Sequence, residues 1–115
     1  EFYGIIQQWL GNRIMVDKTT TYATDVRILQ RAEAVFAEPF YIRLVRHPAA
    51  MIQSYLDSNL DQVFGAELPF TAREKAEMFW LINNQNILDF FGLIPEERRF
   101  FIRYEDLVQQ PEQTM

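Results

Sequence analysis

An α/β fold, with a parallel sheet flanked by helices, is predicted by three features of the sequence. Two short runs, "FYIRLV" at residues 40–45 and "RRFFIRY" at 98–104, are nearly continuous in apolar side chains, the pattern of strands covered on both faces. Segments of helical period with start and stop signals lie around and between them. The resulting order of strand, helix, strand, helix implies right-handed parallel crossovers rather than hairpins.

Each element follows from its own residues. "EFYGIIQQWL" spaces Phe2, Ile5, Ile6 and Trp9 for one helical face, with Gly11 and Asn12 as the stop. "RIMVDK" is short and β-compatible, so a strand is expected there. From Asp25, "DVRILQRAEAVF" puts Val26, Leu29 and Phe36 on a face, and that helix should end before Pro39. After the first strand a helix is expected from Pro48 to about Phe64. Thr71 with Glu74 forms a capping box that opens the longest helix, which should run to about Phe91 ahead of Gly92 and Pro95. "EDLVQQP" starts a short helix after the second strand, and another begins after Pro111.

Composition narrows the possible functions. The 115 residues, 49% apolar and 15% aromatic, suffice for one globular unit. Sixteen carboxylates outnumber 11 basic side chains, for a net charge of −5, which argues against nucleic acid as a partner. Any anion site must therefore be local. With no cysteine and one histidine, neither a thiolate nor a multi-histidine metal site can form. No apolar run approaches the ~20 residues of a membrane span and no secretory signal is visible, so a cytoplasmic protein without a membrane partner is expected. Both ends look cut: the chain opens on Glu1 and stops at Met115, just into a new helix. Residues 1–115 thus read as an internal fragment of a single domain.

"LVRHPAAMIQSY" is the most informative stretch. In open α/β sheets the ligand crevice lies beyond the carboxyl ends of the strands, where Arg46 and His47 fall after Val45. Pro48 suits the first turn of a helix, whose free N–H groups favour an anion. Ser54 lies about 10 Å farther along that helix, so an anion shared by Arg46 and Ser54 has to sit beside the helix. The sequence permits that geometry.

These residues carry a resemblance. "LVRHPAAMIQSY" resembles the segment of sulfotransferases dependent on 3′-phosphoadenosine 5′-phosphosulfate (PAPS) in which a strand-closing arginine and a serine eight positions later grip the 3′-phosphate. "VDKTTTY" resembles the upstream acidic-Lys-Thr motif, and "RYEDL" the downstream strand-end motif, in the same order. The likeness covers nearly the whole chain and is strongest to sulfotransferase domains of modular polyketide synthases. It implies a P-loop NTPase-like sulfotransferase fold, present in part, with PAPS as cosubstrate and no metal. It implies Lys18 near the sulfuryl oxygens as the catalytic residue, Arg46 and Ser54 on the 3′-phosphate, and Tyr104 bordering the adenine. The implied acceptor is a hydroxyl of a small molecule or of an acyl chain tethered to a carrier protein.

Two departures from the family pattern stand out. Cytosolic small-molecule sulfotransferases place a histidine base two residues after the matching lysine, where this chain has Thr20. The base is then a residue before Glu1, or Asp17 contributes; no assignment follows from the sequence. The N-terminal phosphosulfate loop and the C-terminal part of such a domain also lie outside the sequence, so the 115 residues alone are expected to show no turnover.

Taken without the resemblance, every one of these residues has an ordinary reading. Arg46 would be a surface or helix-capping cation, Ser54 a helix-surface residue, and His47 a cap before a helix-opening proline. Lys18 would pair with Asp17, Tyr104 would be core, and Glu105 or Asp106 would cap the next helix. Asn83, within "NNQN", would bond across the core or point into the active site, because a buried amide without partners is costly. Two rival functions are a P-loop kinase-like phosphotransferase and a catalytically degenerate binding module of the same fold. A glycine-rich loop before Glu1 would favour the first, and its absence together with a missing base the second.

Overall fold

The computed structural model describes residues 2–114. Helix α1 spans Phe2–Leu10 and stops at Gly11, whose N–H donates to the Gln7 carbonyl at 3.0 Å. Gly11 has a φ of 62°, a left-handed conformation that costs glycine little. Residues 13–19 then form no strand, contrary to the expectation for "RIMVDK". Ile14 and Val16 in that segment are 91% and 78% exposed. Strand propensity counts only where a ladder partner and a packing surface exist, and here hydrogen bonds to Asp17 organise the segment instead.

Helix α2, Val26–Val35, starts at Asp25, whose carboxylate accepts from the Arg27 N–H at 2.9 Å. It ends before Pro39 as the sequence predicts. Strands β1, Tyr41–Val45, and β2, Arg99–Arg103, pair in parallel, with Tyr41 opposite Arg99 and Val45 opposite Arg103. Between them run α3, Pro48–Asp57, and α4, Ala72–Phe91. After β2 come α5, Tyr104–Gln109, and α6, Pro111–Thr114. The parallel α/β architecture read from the sequence is therefore present.

Two details differ. Helix α3 ends at Asp57 rather than near Phe64, because Asn59 takes a left-handed φ of 51° that no α-helix accommodates. "DSNLDQ" holds no Gly or Pro to announce that break. Nor are the strands covered on both faces by the described residues: Tyr41, Arg43 and Val45 are partly buried, while Ile42 and Leu44 are 61% and 49% exposed.

Helix α4 organises the packing. Its start carries the predicted capping box: the Thr71 hydroxyl accepts from the Glu74 N–H and the Glu74 carboxylate from the Thr71 N–H. Phe90, 1% exposed, meets Tyr41 of β1 edge to face at 4.9 Å between ring centroids. Phe79 packs on Tyr55 of α3 and on Phe64 at 5.6 and 5.3 Å. The Tyr55 hydroxyl donates to the Phe64 carbonyl at 3.0 Å, so the loop after α3 folds back over the same cluster.

The amides of "NNQN" serve this scaffold. Asn83 is buried and donates to the Phe79 carbonyl one turn back at 2.7 Å, leaving its Oδ1 without a partner. Its amide thus bonds within its own helix and not across the core. Asn86 donates to the Ala23 carbonyl at 2.8 Å and ties α4 to the 3₁₀ turn Tyr22–Thr24. Asn84 accepts from the Arg43 guanidinium at 3.0 Å, holding β1 to α4.

Arg98 anchors the other end of the sheet, donating to both Glu33 carboxylate oxygens at 2.6 and 3.1 Å and to the Pro39 carbonyl at 3.1 Å. The Arg98 guanidinium, then the Tyr41 hydroxyl, hold the Glu33 carboxyl below its ordinary value of 4.5.

Two outcomes follow from this packing. Phe90→Ala removes a buried ring that fills the space between α4 and β1, and should lower unfolding stability by about 3–5 kcal/mol in chemical denaturation. Glu33 has a depressed native pKa, so the stability it adds is present above pH 4.5 and is lost as the pH falls below that value through the native pKa. Denaturation midpoints followed down through pH 4 should fall more steeply for the wild type than for Glu33→Gln.

Candidate active site at the strand ends

The parallel register sets the geometry of the site. Because Val45 pairs with Arg103, the next residues, Arg46 and Tyr104, leave the sheet side by side at its carboxyl end. The Arg46 guanidinium lies over the Tyr104 ring, 5.1 Å from its centroid. This contact holds a flexible cation against a flat face. Arg46 and Tyr104 are exposed, and among the described residues Arg46 forms no ion pair. Its donors are therefore open to an anion from solvent.

His47 is the N-cap of α3, its Nδ1 accepting from the Ala49 N–H at 3.2 Å. The capping role read from the sequence is thus present, with Pro48 in the first turn. The His47 N–H donates to Glu105 Oε1 at 2.8 Å, and this bond to the backbone is the main cause holding the Glu105 carboxyl below its ordinary range. Glu105 therefore does not cap α5, as the sequence had left open; it crosses to the end of the neighbouring strand. Ser54 is exposed on α3, adjacent in sequence to the buried Tyr55 that fixes that helix on α4.

Lys18 is exposed on the 13–19 segment. Its neighbour Asp17 is not its ion-pair partner. The Asp17 carboxylate accepts from the Tyr22 hydroxyl at 2.7 Å, from Tyr3 at 2.8 Å and from Thr19 at 2.9 Å. Those three donors, Tyr22 first, lower its pKa. A carboxylate so held takes up a proton less readily, which argues against Asp17 as a general base. The Tyr3 hydroxyl also meets the Tyr22 hydroxyl at 3.2 Å, and that bond first, then the one to Asp17, pushes its pKa up.

The structure brings Arg46 and Tyr104 into contact, sets Ser54 on the helix that starts beside Arg46, and attaches Lys18 to a separate, hydrogen-bonded segment. Trp80, which no motif singles out, also reaches the strand end. Its indole N–H donates to the Arg46 carbonyl at 3.3 Å. The signal available beforehand was general: an indole N–H that leaves water needs an acceptor. Two hollows flank α4, the first of 130 Å³ beside Tyr55, Phe64 and Phe79, the second of 330 Å³ beside Phe70 and Leu81. None of the four candidate residues lines either.

Fold and site together define the class: a parallel α/β unit with an exposed arginine at a strand's carboxyl end, beside the start of a helix. Within that class the chain belongs to the sulfotransferase family, whose profile matches residues 2–115. It is similar to the sulfotransferase domain from the curacin biosynthetic pathway, with 42% identity and a TM-score of 0.94 over 98% of this chain and 40% of that one. It is also similar to the sulfotransferase domain from the Synechococcus PCC 7002 olefin synthase, with 33% identity and a TM-score of 0.87 over 98% of this chain and 38% of that one. The chain thus spans about two fifths of the length of either structure. No curated protein sequence matches it. Among the described residues no group of His, Asp and Glu side chains is placed to hold a metal, and no helix is long and apolar enough to cross a membrane.

The Asp17 hub yields a prediction. Asp17→Ala removes the acceptor shared by three hydroxyls, so segment 13–19 should loosen. Limited trypsin digestion should then cut after Arg13 and Lys18 faster than in the wild type, while the basic sites within α4 stay protected to the same degree.

Proposed function

We propose that the domain containing this chain transfers a sulfuryl group from PAPS to a hydroxyl group, with Arg46 and Ser54 holding the 3′-phosphate of the donor. The single observation that carries the reading is the placement of Arg46: exposed at the carboxyl end of β1, stacked on Tyr104, and unpaired with any carboxylate among the described residues. A planar guanidinium held by a ring keeps its N–H edge free, and that edge matches phosphate oxygens two at a time.

Bound there, the donor supplies an activated sulfuryl group that passes in line to the acceptor oxygen. The residues of this chain bind and orient. Arg46 neutralises the 3′-phosphate, Ser54 adds a short neutral donor, and the N-terminal turn of α3 adds its amide dipoles. Tyr104 supports Arg46 from one side and leaves its ring edge toward the adenine. Lys18, a compact cation, approaches the sulfuryl or bridging oxygens and stabilises the charge that develops on the leaving phosphate. Asp17, committed to three hydroxyls, is poorly suited to take the acceptor proton, and none of these residues is assigned as the base.

For the acceptor, the likeness to domains from the curacin pathway and an olefin synthase favours a small-molecule or carrier-protein-tethered acyl hydroxyl. The net charge of −5 agrees, since a polyanionic glycan would call for a basic groove. A cytoplasmic setting fits such a biosynthetic partner.

Calorimetric titration of adenosine 3′,5′-bisphosphate into a full-length domain carrying this chain tests the grip. The wild type should bind tightly, and Arg46→Ala and Ser54→Ala should each lose about 1.5–3 kcal/mol, the range for hydrogen bonds to charged groups. A wild type that does not bind would sink the reading.

A further inference from the structure

One peptide group at the strand end is held from both sides. The carbonyl of Arg46 accepts from the Trp80 indole of α4 at 3.3 Å, and the N–H of His47 donates to the Glu105 carboxylate of α5 at 2.8 Å. Both groups belong to the single planar unit joining residues 46 and 47, whose carbonyl and amide point in opposite directions. Two elements far apart in sequence therefore fix one plane. That plane decides where the Arg46 side chain leaves β1 and how the chain enters α3, the helix that carries Ser54.

The geometry points to Trp80 and Glu105 as a clamp that positions the Arg46–Ser54 pair for a 3′-phosphorylated nucleotide; this rests on the phosphate-holding role proposed above. Neither residue needs to touch the nucleotide. Glu105 holds the backbone N–H that directly follows Arg46, which fixes the plane from the side of α5. Trp80 ties the carbonyl to α4, which fixes the plane from the opposite side. Freed of the clamp, the 46–47 peptide can rotate, and the arginine fork and the serine hydroxyl no longer converge on one phosphate.

The test is a ratio of affinities measured in a full-length domain carrying this chain. Adenosine 3′,5′-bisphosphate and adenosine 5′-monophosphate are titrated into the wild type, Trp80→Phe, Glu105→Ala, Glu105→Gln and the Trp80→Phe/Glu105→Ala pair, with thermal midpoints recorded for each. Trp80→Phe keeps the packed ring and removes only the N–H; Glu105→Gln keeps an acceptor. The preference for the 3′-phosphorylated ligand should fall on the order of tenfold in the double variant, the scale seen when a residue orienting a ligand-holding side chain is lost. Affinity for the monophosphate should be unchanged, and Glu105→Gln should restore most of the preference. Parallel loss of both ligands with a lowered thermal midpoint would mean plain structural support and overturn the clamp. So would a preference unchanged in every variant beside a discriminating wild type. A wild type without any preference would overturn both the clamp and the proposed function beneath it.

Discussion

The parallel pairing of β1 and β2 in one register is the constraint on which the rest depends. Residues 41–45 lie against 99–103, so the residues that follow emerge together although they are 58 positions apart in sequence. A shift by one residue would turn Arg43 away from Asn84 and send Arg46 past Tyr104. Register is held from both ends: Arg98 is tied to Glu33 and the Pro39 carbonyl before the strands, and His47 to Glu105 after them.

Helix α4 makes that pairing possible at modest size. A parallel pair cannot be closed by a tight turn, and the crossover must bury one face of the strands while it returns the chain. Here the returning helix provides Phe90 against Tyr41, Asn84 against Arg43 and Trp80 against the Arg46 carbonyl, a progression along β1 from its start to just past its end. Packing and site geometry therefore share a single helix. A substitution that shifts α4 along its axis moves the strand-end cation with it.

How much of this was legible in the sequence depended on the range of the interactions. Local signals were legible: Gly11 as a stop, the Thr71/Glu74 pair as a cap, and Pro48 in a first turn are all present. Long-range determinants were not. "RIMVDK" has strand composition but lacks a ladder partner among the described residues, and Tyr3 and Tyr22 bind it through Asp17 instead. The end of α3 depended on Asn59, whose left-handed conformation its neighbours do not announce. Among the candidate residues, Arg46 and Ser54 were nominated by their spacing, whereas the destination of the Glu105 carboxylate required knowing which strand ends are adjacent.

The identity of the cation follows from the same arrangement. In a chain with net charge −5, long-range attraction does not concentrate anions, so selectivity must come from short-range geometry. A lysine at position 46 would present a strongly hydrated point charge on a mobile stem. Arginine offers a flat face to Tyr104 and several donors at its edge. Stacking at 5.1 Å restricts the guanidinium without consuming those donors, so part of the ordering that binding would otherwise demand is already in place before an anion arrives. The carboxylate that stands nearest in sequence to Tyr104, Glu105, is occupied by a backbone N–H rather than by the guanidinium. That division of partners leaves arginine exposed in an acidic protein without being neutralised by it.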